Sequence, residues 1–184
     1  MGSGKTAAAR ILSYFMPVLD LDEVNRQLTA PGADGSRLLS SLDWVPFLPS
    51  GELDRKEMAA RMFQDRARLH QVEEILHPLL WQEMEKWTRG KDLCVVEVPL
   101  LFETGSQDRF DSIWCVVCSR QTAVRRLCEY RGFTPEEAEA RLACQYPAGK
   151  KAAASDVVLR NDGDLKQLED QIRLALAEME DDNE

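Results

Sequence analysis

Four short apolar runs constrain this chain most: Val18–Leu21, Leu93–Val98, Ile113–Cys118 and Val157–Leu159, each flanked by segments with helical patterning. They do not alternate apolar with polar residues, so strands built from them have no water-facing side. Strands of that kind, separated by helices, imply an α/β fold with a parallel sheet covered on both faces. The intervening segments carry helix punctuation. Thr6–Phe15 is stopped near Pro17, and Asp22 is placed to cap a helix reaching about Ala30, ended by Pro31-Gly32. Asp54-Arg55-Lys56-Glu57 resembles a capping box opening a helix to about Gln64. Helical patterns cover Leu69–Leu76 and Pro78–Arg89, with the proline dividing them. Gln121–Tyr130 is helical, and Thr134-Pro135-Glu136-Glu137 combines a cap, a proline in the first turn and the box glutamate. A last helix runs from Asp164 to about Met179, followed by an acidic tail over residues 180–184. The stretch Ala33–Gly51 reads as loose. The helical block from about 54 to 89 is too long for an ordinary crossover and reads as an inserted lobe.

At 184 residues and 44% hydrophobic, the chain suits one globular domain with a substantial core. No apolar run approaches the roughly 18–20 residues that span a bilayer, and no basic segment followed by an apolar one marks a secretion signal. Five cysteines, at 94, 115, 118, 128 and 144, then point to reduced thiols in the cytoplasm. Cys115 and Cys118 have C-x-x-C spacing, but on a strand residues three apart face opposite ways, so core thiols are the better reading than a metal site. The net charge of −9 argues against a nucleic-acid partner. Between Arg120 and Lys151, however, seven basic residues face four acidic ones. That local excess suits a small polyanion, or else a solvated helix face.

Gly2-Ser3-Gly4-Lys5-Thr6 is the second half of the phosphate-binding pattern G-x-x-x-x-G-K-[ST]. Its glycines let backbone amides turn toward phosphate oxygens, and the following helix aims its positive end at the same place. Lys5 would reach the β- and γ-phosphates of a nucleotide, and the Thr6 hydroxyl would ligate magnesium. The first glycine of the pattern and the strand leading into it would precede Met1. The expectation is a chain truncated ahead of its loop, the alternative a degenerate, non-catalytic nucleotide-binding homologue. Asp20 and Asp22 end the Val18–Leu21 strand, on the side where ligands bind in open α/β sheets. A carboxylate there orients magnesium or accepts a proton from a hydroxyl. Capping a helix is compatible with either.

Together these residues resemble the dephospho-CoA kinase family. The segments that carry the likeness are Gly2–Thr6, Leu19-Asp20-Leu21-Asp22 with Arg26 and Pro31-Gly32, Leu53-Asp54-Arg55 with Phe63, Leu76-His77-Pro78-Leu79, and Val98-Pro99-Leu100-Leu101-Phe102-Glu103. Arg125-Arg126-Leu127 with Arg131, Ala138, Arg141 and Gln145 follows, then Asp156-Val157-Val158 with Asn161-Asp162-Gly163. They occur in the family's order from Gly2 to about Ile172. The resemblance implies a three-layer P-loop NTPase fold with a parallel sheet, an inserted helical substrate-binding region (about 53–90) and a helical lid (about 121–152). The core would comprise residues 1–32, 91–120 and 155–180. It implies transfer of phosphate from ATP, with Mg2+, to the ribose 3′-hydroxyl of dephospho-CoA. Another nucleoside- or nucleotide-type kinase of the same fold is the alternative enzyme.

By the same resemblance, Asp22 is the general base, and Arg131 and Arg141 close over the phosphates. Asn161 lies near the adenine, Gly2–Ala7 cradle the nucleotide, and Asp20, Arg55, His77, Pro99 and Leu100 face the acceptor. Ala7 replaces a hydroxyl residue that often follows the loop in the family, removing one phosphate hydrogen bond. Plain structural duties compete at several positions: a packed histidine at His77, core contacts at Leu100–Phe102, a surface role for any one of the arginines. No nucleic acid, membrane or obligate protein partner is expected.

Overall fold

A computed structural model describes residues 1–181, and the expectation for the acidic tail beyond them lies outside the described residues. The chain divides into two compact units, Met1–Val18 with the chain from Leu100 onward, and Leu19–Pro99.

In the first unit, α1 (Lys5–Leu12) begins directly after Gly4. Strands β3 (Trp114–Val117) and β4 (Val157–Arg160) pair in parallel, Trp114 against Val157 and Val117 against Arg160. Between them lie α6 (Arg120–Arg131), α7 (Pro135–Ala143) and α8 (Ala148–Ala153), and α9 (Leu165–Asp181) follows β4. α1 packs on α9 and β3, α9 on β4, and α8 on β3. Leu168, Ile172 and Ala175 of α9 are buried at helical spacing, as are Ala123 and Leu127 of α6. α6 ends on Gly132 at φ 69°, a left-handed cap that suits glycine. α7 carries the full capping box of Thr134 and Glu137, as its sequence requires.

In the second unit, β1 (Val18–Asp20) pairs with β2 (Val95–Glu97), and α5 (Arg66–Thr88) packs on α2 (Leu21–Leu28), α3 (Asp34–Leu39) and α4 (Arg55–Gln64). The buried cluster is Leu39, Val45, Leu53, Met58, Val72 and Leu76.

Three local expectations need correction. α5 runs unbroken through Pro78 for 23 residues where two helices were expected. Proline deletes one amide donor and crowds the preceding turn, but Val72, Leu76 and Met84 bury the helix on both sides of it, and that packing outweighs the local cost. The loose stretch Ala33–Gly51 contains α3 and walls the cluster: Trp44 donates from its indole to Gln71 at 2.8 Å, and its carbonyl accepts from Arg61 at 2.6 Å. The cap of α2 is Asp20, whose carboxylate accepts the Asp22 amide at 2.8 Å; Asp22 stands in the first turn. The helix starts two residues early, with Leu21 buried as its anchor. The described strands pair as β1 with β2 and as β3 with β4, the latter in parallel, with helices between them in the chain as the α/β expectation requires.

The neighbouring leucines of α3 give a direct test. Leu38 is exposed and Leu39 is fully buried. Leu39→Ala is expected to cost about 2–5 kcal/mol in denaturant unfolding, and Leu38→Ala under about 0.5 kcal/mol.

Candidate functional site

The phosphate-binding pattern folds as a tight loop against α6 and the turn after β4. Gly2 and Gly4 sit at φ 73° and 93°, where L side chains are strained. Gly4 is the N-cap of α1, and its carbonyl accepts the amides of Ala7 and Ala8 at 2.9 and 3.0 Å. Glycine brings no capping side chain. Among the described residues, α1 is the only helix of eight or more residues whose first turn takes no side-chain cap: Asp20, Asp54, Asp65, Ser119, Thr134 and Asp164 serve the others. A helix start left to backbone amides, with Lys5 and Thr6 as its first residues, is built to receive an anion.

The loop is held from behind. Asn161, buried at the end of β4, donates from Nδ2 to the Ser3 carbonyl at 2.7 Å, and its own amide donates to Val117 at 2.8 Å. Arg126 of α6 donates to the Asn161 carbonyl at 2.9 Å and to the Ser3 carbonyl at 3.4 Å. The Cys118 thiol donates to the Gly2 carbonyl at 3.7 Å, and burial pushes that thiol up from its ordinary pKa. A hydrogen bond from the Ser119 amide, at 2.8 Å, holds the Asp162 carboxyl below its ordinary value. A Cβ on Gly4 would lie 2.0 Å from Asn161 Nδ2, and one on Gly2 2.9 Å from the Ala123 carbonyl oxygen.

The remaining predicted residues are placed as follows. Arg131 is exposed at the last position of α6. Arg141, in the last turn of α7, lies 4.4 Å over the Phe133 ring, and Arg120 ties the two helices through Glu139 at 2.6 Å. Pro99 and Leu100 are exposed, and the Leu100 carbonyl accepts from the Thr104 hydroxyl at 2.9 Å. In the second unit, Arg55 opens α4 and donates to the Arg26 carbonyl at 3.2 Å and to the buried Thr29 hydroxyl at 2.5 Å. His77 is half-buried within α5, its ring 6.2 Å from that of Trp81. Asp22 is exposed, and the Asp20 carboxylate is engaged in capping. Ala7 lies in the first turn of α1.

Two contributors escaped the sequence reading. Arg126 was grouped with its neighbouring arginines; the signal was its place beside Ala123 and Leu127 on the inner face of α6. Glu103 accepts from Lys151 at 2.6 Å and from the Tyr146 amide at 3.3 Å, while Phe102 stacks on Tyr146. Burial raises the Glu103 carboxyl, but the Lys151 hydrogen bond and charge outweigh it and leave the group below its ordinary value.

Among the described residues no group of three or more His, Cys, Asp or Glu side chains suits a metal ion. That fits magnesium of the kinase type, which is held by one or two protein oxygens, water and the nucleotide's own phosphates. Thr6, the second residue of α1, carries a hydroxyl, an oxygen of the type magnesium takes.

An α/β chain whose first helix opens, uncapped, from a glycine–lysine–threonine loop is a P-loop phosphotransferase in its make-up. The dephospho-CoA kinase family model matches residues 1–167. A dephospho-CoA kinase of Geobacter sulfurreducens is 34% identical over 179 residues, covering 94% of this chain and 91% of that protein. One of Shouchella clausii is 33% identical over 184 residues, covering 96% and 93%. The crystal structure of TT1252 from Thermus thermophilus matches with a TM-score of 0.81 at 34% identity, over 97% of this chain and 93% of that one. The chain belongs to the dephospho-CoA kinase family. Among the described residues no helix is long and apolar enough to cross a membrane.

Gly4→Ala combines a strained φ with the 2.0 Å contact to Asn161. It is expected to cost more than Gly90→Ala, where φ is 75° and the Cβ meets nothing; strain alone amounts to about 1–3 kcal/mol. Chemical denaturation of the two variants reads the difference. Separately, Glu103 stabilises the fold above its unfolded-state pKa, and that contribution is lost as pH falls through its lowered folded value. The melting-temperature gap between wild type and Glu103→Gln should therefore close in acid below pH about 4.5, and a gap independent of pH counts against the pair.

Proposed function

We propose that this chain transfers the γ-phosphate of ATP to the ribose 3′-hydroxyl of dephospho-CoA, giving coenzyme A and ADP in the cytoplasm. The observation that carries the reading is the uncapped start of α1 behind two left-handed glycines, with Lys5 and Thr6 as its first residues. The amides of Gly2–Ala7 would cradle the phosphates, and Lys5 would bind the β- and γ-oxygens, drawing charge toward the leaving group. Thr6 would hold magnesium, which would supply positive charge against the negative charge that develops on the phosphates.

A ribose hydroxyl is too weakly acidic to attack unaided at neutral pH. The Asp22 carboxylate would take its proton as the 3′-oxygen bonds to the γ-phosphorus and the bond to the β-bridging oxygen breaks, releasing ADP. Asp22 stands exposed in the first turn of α2, which Asp20 caps. Arg131 and Arg141, from a lid made of α6 to α8 (about 121–152), would offset charge on the transferring group. The helical region of about 53–90 would receive the acceptor, with Arg55 and His77 on its helices and Asp20, Pro99 and Leu100 beside the strands. Asn161 would lie near the adenine.

Lys5→Ala and Asp22→Ala should each lower dephospho-CoA-dependent ADP release by about 10²–10⁴-fold while circular dichroism stays unchanged. A near-wild-type rate for Asp22→Ala removes its assignment as base. Phosphorylation of a nucleoside monophosphate in preference to dephospho-CoA removes the acceptor assignment.

A further inference from the structure

The rear of the phosphate loop carries an arrangement that the reaction alone does not explain. The Ser3 carbonyl oxygen accepts from Asn161 Nδ2 at 2.7 Å and from Arg126 Nη1 at 3.4 Å. Arg126 also donates to the Asn161 backbone carbonyl at 2.9 Å and, through Nη2, to Asn161 Oδ1 at 3.4 Å. A guanidinium has five donors and no acceptor, so it accommodates only oxygens. The Asn161 amide must therefore turn Oδ1 toward Arg126 and Nδ2 toward Ser3. Arg126 thus fixes which way the asparagine points.

The Ser3 carbonyl shares a peptide plane with the Gly4 amide. In a trans peptide the C=O and N–H of one plane point in opposite directions, and no peptide bond among the described residues is cis. Holding the Ser3 carbonyl toward Asn161 and Arg126 therefore turns the Gly4 N–H away from them, out of the open start of α1. The approach is close: a Cβ on Gly4 would lie 2.0 Å from Asn161 Nδ2, so the brace reaches the loop backbone directly.

We propose that Arg126 is a positioning residue of the phosphate loop: acting through Asn161 and the Ser3 carbonyl, it sets the direction of the Gly4 amide, and so phosphate affinity, without touching the nucleotide. The inference rests on the ATP-binding half of the function proposed above and is independent of the acceptor. It also distinguishes Arg126 from Arg131 and Arg141, whose exposed side chains stand elsewhere on α6 and α7.

Titration calorimetry of the full chain with ATP, pyrophosphate and adenosine, alongside steady-state kinetics, tests the idea. Arg126→Ala should weaken ATP and pyrophosphate by about tenfold or more, the loss of one to two charge-assisted hydrogen bonds. Adenosine affinity should fall far less than ATP affinity, KM for dephospho-CoA should stay unchanged, KM for ATP should rise, and Arg126→Lys should recover part of the loss. In amide NMR, the Gly4 resonance should shift less on adding ATP than in wild type. Unchanged ATP affinity overturns the proposal. So does an equal loss for adenosine, which means a contact to the base, or a fall in both KM-derived affinities together with melting temperature. If Arg126→Ala does not fold, Arg126→Lys decides: an intermediate ATP affinity supports the brace and a wild-type one overturns it. Wild-type protein that binds ATP but leaves dephospho-CoA unphosphorylated sinks the acceptor assignment alone, and the brace is still judged by ATP and pyrophosphate.

Discussion

The parallel pairing of β3 with β4 is the constraint on which the phosphate loop depends. Parallel strands in register end on the same side, so the residues after Val117 and after Arg160 emerge next to each other. The Asn161 amide reaches back to the Val117 carbonyl, and Asp162 takes the Ser119 amide, welding the two exits. Ser119 then caps α6, which presents Ala123, Arg126 and Leu127 inward. Against that platform the Gly2–Gly4 segment is folded with the Gly2 and Ser3 carbonyls turned in. An antiparallel pair would send the two exits to opposite ends and leave the loop with one wall.

The second unit has a different organising element. α5 touches α2, α3 and α4, and its 23 residues span the hydrophobic cluster. Arg55 fastens the start of α4 to the end of α2 through the Arg26 carbonyl and the Thr29 hydroxyl. A contact to a buried hydroxyl and a backbone oxygen uses one edge of the guanidinium fork. The sequence reading aimed Arg55 at the acceptor; the geometry gives it a structural duty that does not consume all its donors.

How much was legible in the chain follows from the range of the forces involved. Local chemistry was readable. Thr134-Pro135-Glu136-Glu137 encodes its own helix start, Asp54 caps α4 as read, and the glycine loop with Lys5-Thr6 opens α1. What depends on packing was not. Pro78 looked like a helix boundary because the local rule is sound, and only burial of Val72, Leu76 and Met84 on either side overrides it. α3, six residues long, is too short to be stable alone and is held by burial of Gly35, Ser36 and Leu39, while α8, equally short, leans on β3. Asp20 and Asp22 are both competent caps, and the choice fell to the burial of Leu21. Arg126 looked like one more base in a basic segment, since nothing local says that two carbonyls, one of them more than a hundred residues away, will face it.

A chain with net charge −9 that binds two polyanions poses an apparent conflict, and the distribution of charge resolves it. Many of its acids are matched by a base one turn away, as in Glu23–Arg26, Glu57–Arg61, Glu83–Lys86 and Glu169–Arg173. Exposed charges more than about 8–10 Å apart scarcely interact at physiological salt, so these paired faces project little field onto a distant phosphate. What a phosphate would meet at the start of α1 is set within a few ångströms: backbone amides, the positive end of a helix and Lys5. Arg126 adds positive charge there while its hydrogen bonds are spent on carbonyls. Local donors oriented by a rigid brace, and not the sign of the whole chain, therefore decide whether an anion is held, and a net charge of −9 is no obstacle to a nucleotide.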